Sequence, residues 1–227
     1  MNNIEEMIEK GKIMLQSLSN NKSVDLDEFN SVIMALKQCI KLNPKLGKEF
    51  GPFIQKLISA KKLTDTKFDL VQIPILNGRI SIGHRPKIKE IRLLKREGIT
   101  HILTLLSVKE GAEKVGESVR IWGLEWIWHA MESATPPNQD QFNEYINLFK
   151  QLQTILASGG SIYIRCSAGI HRTGMIIFAL LLYLGFSELE AKNLMLKLRA
   201  ITHQEAGVDR FEWGIELLKY TIHKYSS

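Results

Sequence analysis

The sequence is poor in the features that would place it in several large classes. Its 227 residues contain two cysteines, Cys39 and Cys166, which fall in a helical pattern and in a turn. A disulfide framework is therefore excluded, and a reducing compartment is expected. No apolar run approaches the roughly 20 residues needed to cross a bilayer. Residues 1–20 scatter Glu5, Glu6, Glu9, Lys10 and Lys12 among apolar positions, unlike a signal peptide, so the expected location is cytoplasmic. His101, His171, His203 and His223 share no ligand spacing, and no metal or other cofactor is expected. The excess of 30 Lys and Arg over 24 Asp and Glu is small and unconcentrated, which suits anionic substrates but argues against nucleic acid as a partner. What remains, 44% hydrophobic and 24% charged, is an ordinary globular composition.

Residues 1–66 read as helical. Ile4, Met7, Ile8, Gly11, Met14, Leu15 and Leu18 recur at spacings of three and four. A polar break over residues 19–23 is followed by Asp25 as an N-cap, with Glu28 in capping-box spacing. Asn43-Pro44 ends that helix, and a third covers residues 46–60. Three short amphipathic helices are marginal alone, so they are expected to pack on the following domain or on a partner. A docking or regulatory role and a structural brace are both open.

From Phe68 the period shortens, and residues 67–227 read as an α/β domain. Asn77-Gly78 sits between short apolar strands and signals a tight hairpin in which both residues take positive φ. A helix over residues 87–98 and a strand over residues 99–106 follow, then a polar loop with a short helix over residues 107–119. Residues 121–131 hold three of the four tryptophans and read as a strand entering the core. Residues 138–157 form a long helix, residues 161–164 a buried strand, and residues 175–184 a buried helix stopped by Gly185. Residues 187–190 start another helix in capping-box spacing, residues 201–208 read as a loop, and residues 209–225 as the last helix.

Between that buried strand and buried helix lies Cys166-Ser167-Ala168-Gly169-Ile170-His171-Arg172-Thr173-Gly174. Backbone N–H groups of a strand-to-helix turn, with those of the helix's first turn, form an anion cradle. Arg172 falls at the helix start, where a planar guanidinium can grip two phosphate oxygens. A thiol so surrounded ionises below its free value and becomes a nucleophile at neutral pH.

This segment resembles the Cys-x5-Arg-Ser/Thr signature of the cysteine-dependent protein tyrosine and dual-specificity phosphatases, including the glycine and the Thr-Gly that follow Arg172. The resemblance covers residues 68–227 only. It implies a central mixed sheet flanked by helices, preceded here by a helical extension. It also implies that Cys166 attacks phosphorus, that residues 167–172 cradle the phosphoryl group, that Arg172 holds its oxygens, and that Thr173 helps the thiolate leave. The family usually has His before the cysteine, where this chain has Arg165.

The family's general acid is an Asp after the preceding strand, often with Pro four residues on. Glu132 and Pro136 reproduce the place and spacing with one more methylene, and His129 is the rival proton donor. Arg85 sits where family loops face the catalytic mouth, either touching substrate or in an exposed turn. Gln204 lies in a late loop where tyrosine-specific relatives carry a water-positioning Gln.

The expected activity is hydrolysis of phosphotyrosine in a protein or peptide, with phosphoserine and phosphothreonine also open. The alternatives are a lipid or RNA 5′ phosphate as substrate, or a phosphoprotein-binding adaptor without turnover.

Overall fold

A computed structural model describes residues 2–20, 22–65 and 70–225. The expected domain boundary between residues 66 and 67, the change of period at Phe68, and Asn21 of the polar break lie outside the described residues. The chain divides into two compact units, Met1–Phe68 and Asp69–Ser227.

Among its described residues the first unit comprises helices α1 (Asn2–Ser19), α2 (Leu26–Leu42) and α3 (Gly47–Asp65), with a 3-10 turn at Pro44–Leu46. The Asp25 side chain caps α2 by accepting from the Glu28 N–H at 2.8 Å. The three helices bury a core of their own in which Leu18, Leu36 and Leu57 are inaccessible to solvent. Cys39 is partly buried beside that core and unbonded to Cys166, as both thiols are free.

The second unit is a five-stranded mixed sheet in the order β1-β2-β5-β3-β4, with β1 (Ile73–Ile75), β2 (Gly78–Gly83), β3 (His101–Thr104), β4 (Glu125–Trp128) and β5 (Ser161–Arg165). Only β1 runs antiparallel; β2, β5, β3 and β4 are parallel neighbours. The helices are α4 (Ile88–Arg96), α5 (Ala112–Ile121), α6 (Phe142–Ala157), α7 (His171–Tyr183), α8 (Glu188–Leu198), α9 (Ala200–Glu205) and α10 (Val208–Tyr225). Alternation along β5 puts Ile162, Ile164 and then Cys166 on one face and Tyr163 and Arg165 on the other. Ile162, Ile164 and Cys166 share a core with the apolar residues of α6 and α7.

Three expectations are corrected. The β1–β2 hairpin forms, but its two-residue turn is Leu76-Asn77, and the positive φ (54°) falls on Leu76. Gly78 is required for another reason: a side chain there would run into the carbonyl oxygens of Gly160 and Leu156. The tryptophan-rich stretch is a strand only over Glu125–Trp128, because Ile121 closes α5. Residues 201–208 contain the short helix α9 rather than a continuous loop.

Candidate active site

In open sheets with parallel strands, ligands bind outside the carboxyl ends of the strands. Here each of the four parallel strands delivers a piece of one constellation from that end. Arg85 follows β2, Cys166 follows β5, Glu110 follows β3, and Glu132 follows β4.

Cys166 is 3% exposed. Gly169 takes the left-handed conformation (φ 72°), which turns its N–H onto the sulfur at 3.2 Å. A side chain at Gly169 would strike the backbone of Gly83, so only glycine suits both the conformation and the close approach to β2. The loop's outward carbonyls are held by Arg199, which donates to Ala168 O and Gly169 O, and by the Thr202 hydroxyl, which donates to Gly169 O at 2.7 Å. Ser167 O accepts from the Arg85 N–H at 2.9 Å. Burial opposes ionisation of the Cys166 thiol. The Thr173 hydroxyl and the N–H groups of Thr173, Gly169 and Ile170 outweigh that cost, so the thiol's pKa lies below its ordinary value. Thr173 is fully buried at the start of α7, and its hydroxyl has no hydrogen-bond partner among protein nitrogens and oxygens. His171 and Ala168 are exposed at the rim.

Arg172 is the most heavily tied side chain of the site. Its Nη1 donates to Leu105 O at 3.1 Å, Met131 O at 2.8 Å and Glu110 Oε2 at 2.6 Å, while Nη2 donates to Glu110 Oε1 at 2.7 Å. Glu110 also accepts from the Ser107 N–H and the Ser167 hydroxyl. The Arg172 guanidinium, with those two donors, brings the Glu110 carboxyl down to about 2 despite its partial burial. Glu110 in turn holds Arg172 more firmly protonated than a free arginine. The sequence reading missed Glu110. Its available signal was an acidic residue followed by Gly111 just beyond a parallel strand, within a stretch read as a polar loop with a short helix.

Glu132 is exposed on the segment between β4 and α6, with its neighbour Met131 held by Arg172. A cavity of about 370 Å³ opens there, lined by Met131, Glu132, Thr135, Pro136, Gln141 and Tyr145 among others. His129, the rival donor, lies edge-on to Tyr145 with ring centroids 4.6 Å apart, and burial pushes its pKa down, opposed by Glu144. Arg85 joins the site, donating from Nη1 to Glu110 O at 3.0 Å. Gln204 is exposed on α9, not on a loop, and no contact brings it to Cys166.

Arg165 is completely buried, and none of its three guanidinium nitrogens has a hydrogen-bond partner. Burial first, then the Arg85 charge, brings its pKa down to about 10, so it remains cationic at neutral pH. The nearby Tyr163 hydroxyl is not free to help, since it donates to His84 O at 2.9 Å.

The family model described as "Polymorphic toxin system, DSP-PTPase phosphatase" matches residues 80–186, a span that includes Arg85, Glu110, Glu132 and the loop from Cys166 to Thr173. Over that span the chain matches a DSP-PTPase phosphatase domain. No curated protein matches the chain. The phosphatase domain is similar to the solved structure of Tk-PTP in its active form, with a TM-score of 0.53 and 19% identity over 64% of this chain and 95% of that one. It is similar to PTPMT1 (TM-score 0.53, 17% identity, 69% of this chain and 99% of that one). It is also similar to kinase associated phosphatase (0.55, 16%, 72% and 98%). At these identities the likeness is one of fold. No described helix is long and apolar enough to cross a membrane, and among the described residues no His, Cys, Asp and Glu group is placed to hold a metal ion.

Proposed function

We infer that the phosphatase domain hydrolyses phosphotyrosine in proteins, with phosphoserine and phosphothreonine also within its reach, through a cysteinyl-phosphate. The observation that carries this reading is the Cys166 sulfur, buried under the Gly169 N–H and favoured as thiolate by the loop that holds it. The thiolate attacks phosphorus while the bond from phosphorus to the substrate oxygen breaks. The loop amides and the remaining Arg172 N–H groups bind the three equatorial oxygens, where charge spreads in the transition state. Glu132 gives its proton to the departing oxygen, which would otherwise leave as an alkoxide or phenolate. In the second step Glu132, now a carboxylate, takes a proton from water. That water attacks phosphorus, the sulfur–phosphorus bond breaks, and the Thr173 hydroxyl stabilises the returning thiolate.

The cavity beside Glu132 gives the leaving group a place adjacent to its proton donor. Arg172 is already oriented by Glu110, so little reorganisation is needed when substrate arrives. For the first unit, residues 1–66, we propose a docking or regulatory role.

Phosphate release from p-nitrophenyl phosphate in EDTA, compared between wild type and Cys166→Ser, tests the reading. Release that vanishes in the serine variant is expected. Release that survives it contradicts the covalent route, and tight phosphopeptide binding by the wild type without any release turns the reading to an adaptor.

A further inference from the structure

The segment between β4 and α6, residues 129–138, carries Glu132 and is held at every third carbonyl. Met131 O accepts from Arg172 of α7. Ala134 O accepts from Arg210 Nε at 2.7 Å, and Pro137 O accepts from the Trp213 indole N–H at 3.0 Å. The last two donors belong to α10, 76 residues further along the chain in each case. Both are themselves fixed. Arg210 Nη1 donates to Ala206 O and Asp209 Oδ1, which leaves Nε aimed at the loop. Trp213 is 3% exposed, and its ring meets Phe142 and Tyr145 edge-on.

We propose that Arg210 and Trp213 are positioning residues for the acid step, holding the Glu132 segment in the single conformation that presents its carboxyl beside the catalytic loop. A ten-residue connection, half of it exposed, samples many conformations if free to move, and the acid is useful only in those that place it within reach of the leaving oxygen. Three carbonyl contacts spaced three residues apart remove that freedom before substrate arrives. All three act on backbone, so they are indifferent to which side chains the loop carries. The inference rests on Glu132 being the acid.

The test uses the full chain and the variants Arg210→Met, which keeps the stem but removes the donors, and Trp213→Phe, which keeps a ring but removes the N–H. Hydrolysis is followed on phenyl phosphate, whose leaving group needs a proton, and on 2,4-dinitrophenyl phosphate, whose leaving group does not. Each variant is expected to lose on the order of tenfold to 100-fold in kcat/KM, which covers only the steps through departure of the leaving group, on the first, part of the roughly 10²-fold or more that a general acid supplies. Little change is expected on the second. The double variant Glu132→Gln with Arg210→Met is expected to be no slower than Glu132→Gln alone, because the two act through one proton transfer.

Amide hydrogen exchange over residues 129–138 gives a readout independent of turnover, and it is expected to quicken in both variants. Unchanged exchange overturns the proposal, as do equal losses on the two substrates or additive losses in the double variant. Failure of the underlying reading looks different: Cys166→Ser then hydrolyses as fast as wild type, or Glu132→Gln shows no dependence on the leaving group.

Discussion

The loop after β5 and the segment after β4 meet at Arg172, yet they are built on opposite plans. The catalytic loop takes its shape from its own residues: a buried strand before it, Gly169 in the left-handed conformation, and a helix that starts at His171. The acid segment has little internal structure, and its shape is imposed by Arg172, Arg210 and Trp213 through its carbonyls. A phosphate-binding loop must present several N–H groups at one point, which favours a compact local motif. An acid needs one carboxyl at one distance, which any external brace can supply.

The largest effect that would break this contrast concerns the residue common to both plans. Arg172→Lys keeps a charge but loses the planar fork that grips Glu110 and Met131 O together, so both loops are affected. We expect kcat to fall on the order of 10²–10³-fold on every phosphate ester, whatever its leaving group. A loss confined to poor leaving groups would mean that Arg172 serves only the acid segment.

Next in size, Glu132→Gln is expected to cost roughly 10²-fold in kcat/KM on a phosphotyrosyl peptide, with far less effect on 2,4-dinitrophenyl phosphate. If His129→Gln instead shows that dependence on the leaving group, the acid has been assigned to the wrong residue.

Glu110→Gln sharpens the comparison by loosening Arg172 while touching the loop only through the Ser167 hydroxyl. We expect kcat to fall roughly tenfold to 100-fold through misplacement of the guanidinium. Because Glu110 has a depressed pKa in the folded protein, its contribution to stability is present above the ordinary carboxylate value of 4.5 and is lost as pH falls through about 2. Melting temperatures measured across that interval should fall less steeply for Glu110→Gln than for wild type. Parallel curves would show that the carboxylate is not held as described.

The smallest effect on rate and the most informative on design is expected at Arg165. Its buried, unpartnered guanidinium lies on the face of β5 opposite Cys166, and the Cys166 charge is among the influences that favour its protonated form. Arg165→Met should stabilise the protein by roughly 1–3 kcal/mol, since a buried donor without a partner is lost. The same change should raise the thiol pKa, seen in the pH dependence of iodoacetamide alkylation. A more stable variant with an unshifted thiol would leave Arg165 no part in the chemistry.

This difference in plan also explains what could be read from the sequence. The strand, glycine turn and helix around Cys166 were legible because the residues that make them are contiguous, and so were the caps at Asp25 and Ser187. Glu132 was singled out only through its spacing from Pro136, and its role remains a proposal. Glu110, Arg199, Arg210 and Trp213 were not, because each acts on a backbone or a side chain 30 to 76 residues away and leaves no local pattern. The hairpin was placed correctly but its turn was displaced by one residue, since the need for glycine at Gly78 comes from the packing of Leu156 and Gly160 rather than from φ. α9 was hidden because a six-residue helix is too short to show a period.

The most direct measurement is a rapid acid quench of the wild-type protein during turnover of a radiolabelled phosphotyrosyl peptide, followed by mapping of the labelled site. The account predicts label on the peptide containing Cys166, both in wild type and in Glu132→Gln. Turnover with no label on Cys166 in either protein, together with hydrolysis undiminished in Cys166→Ser, would contradict it.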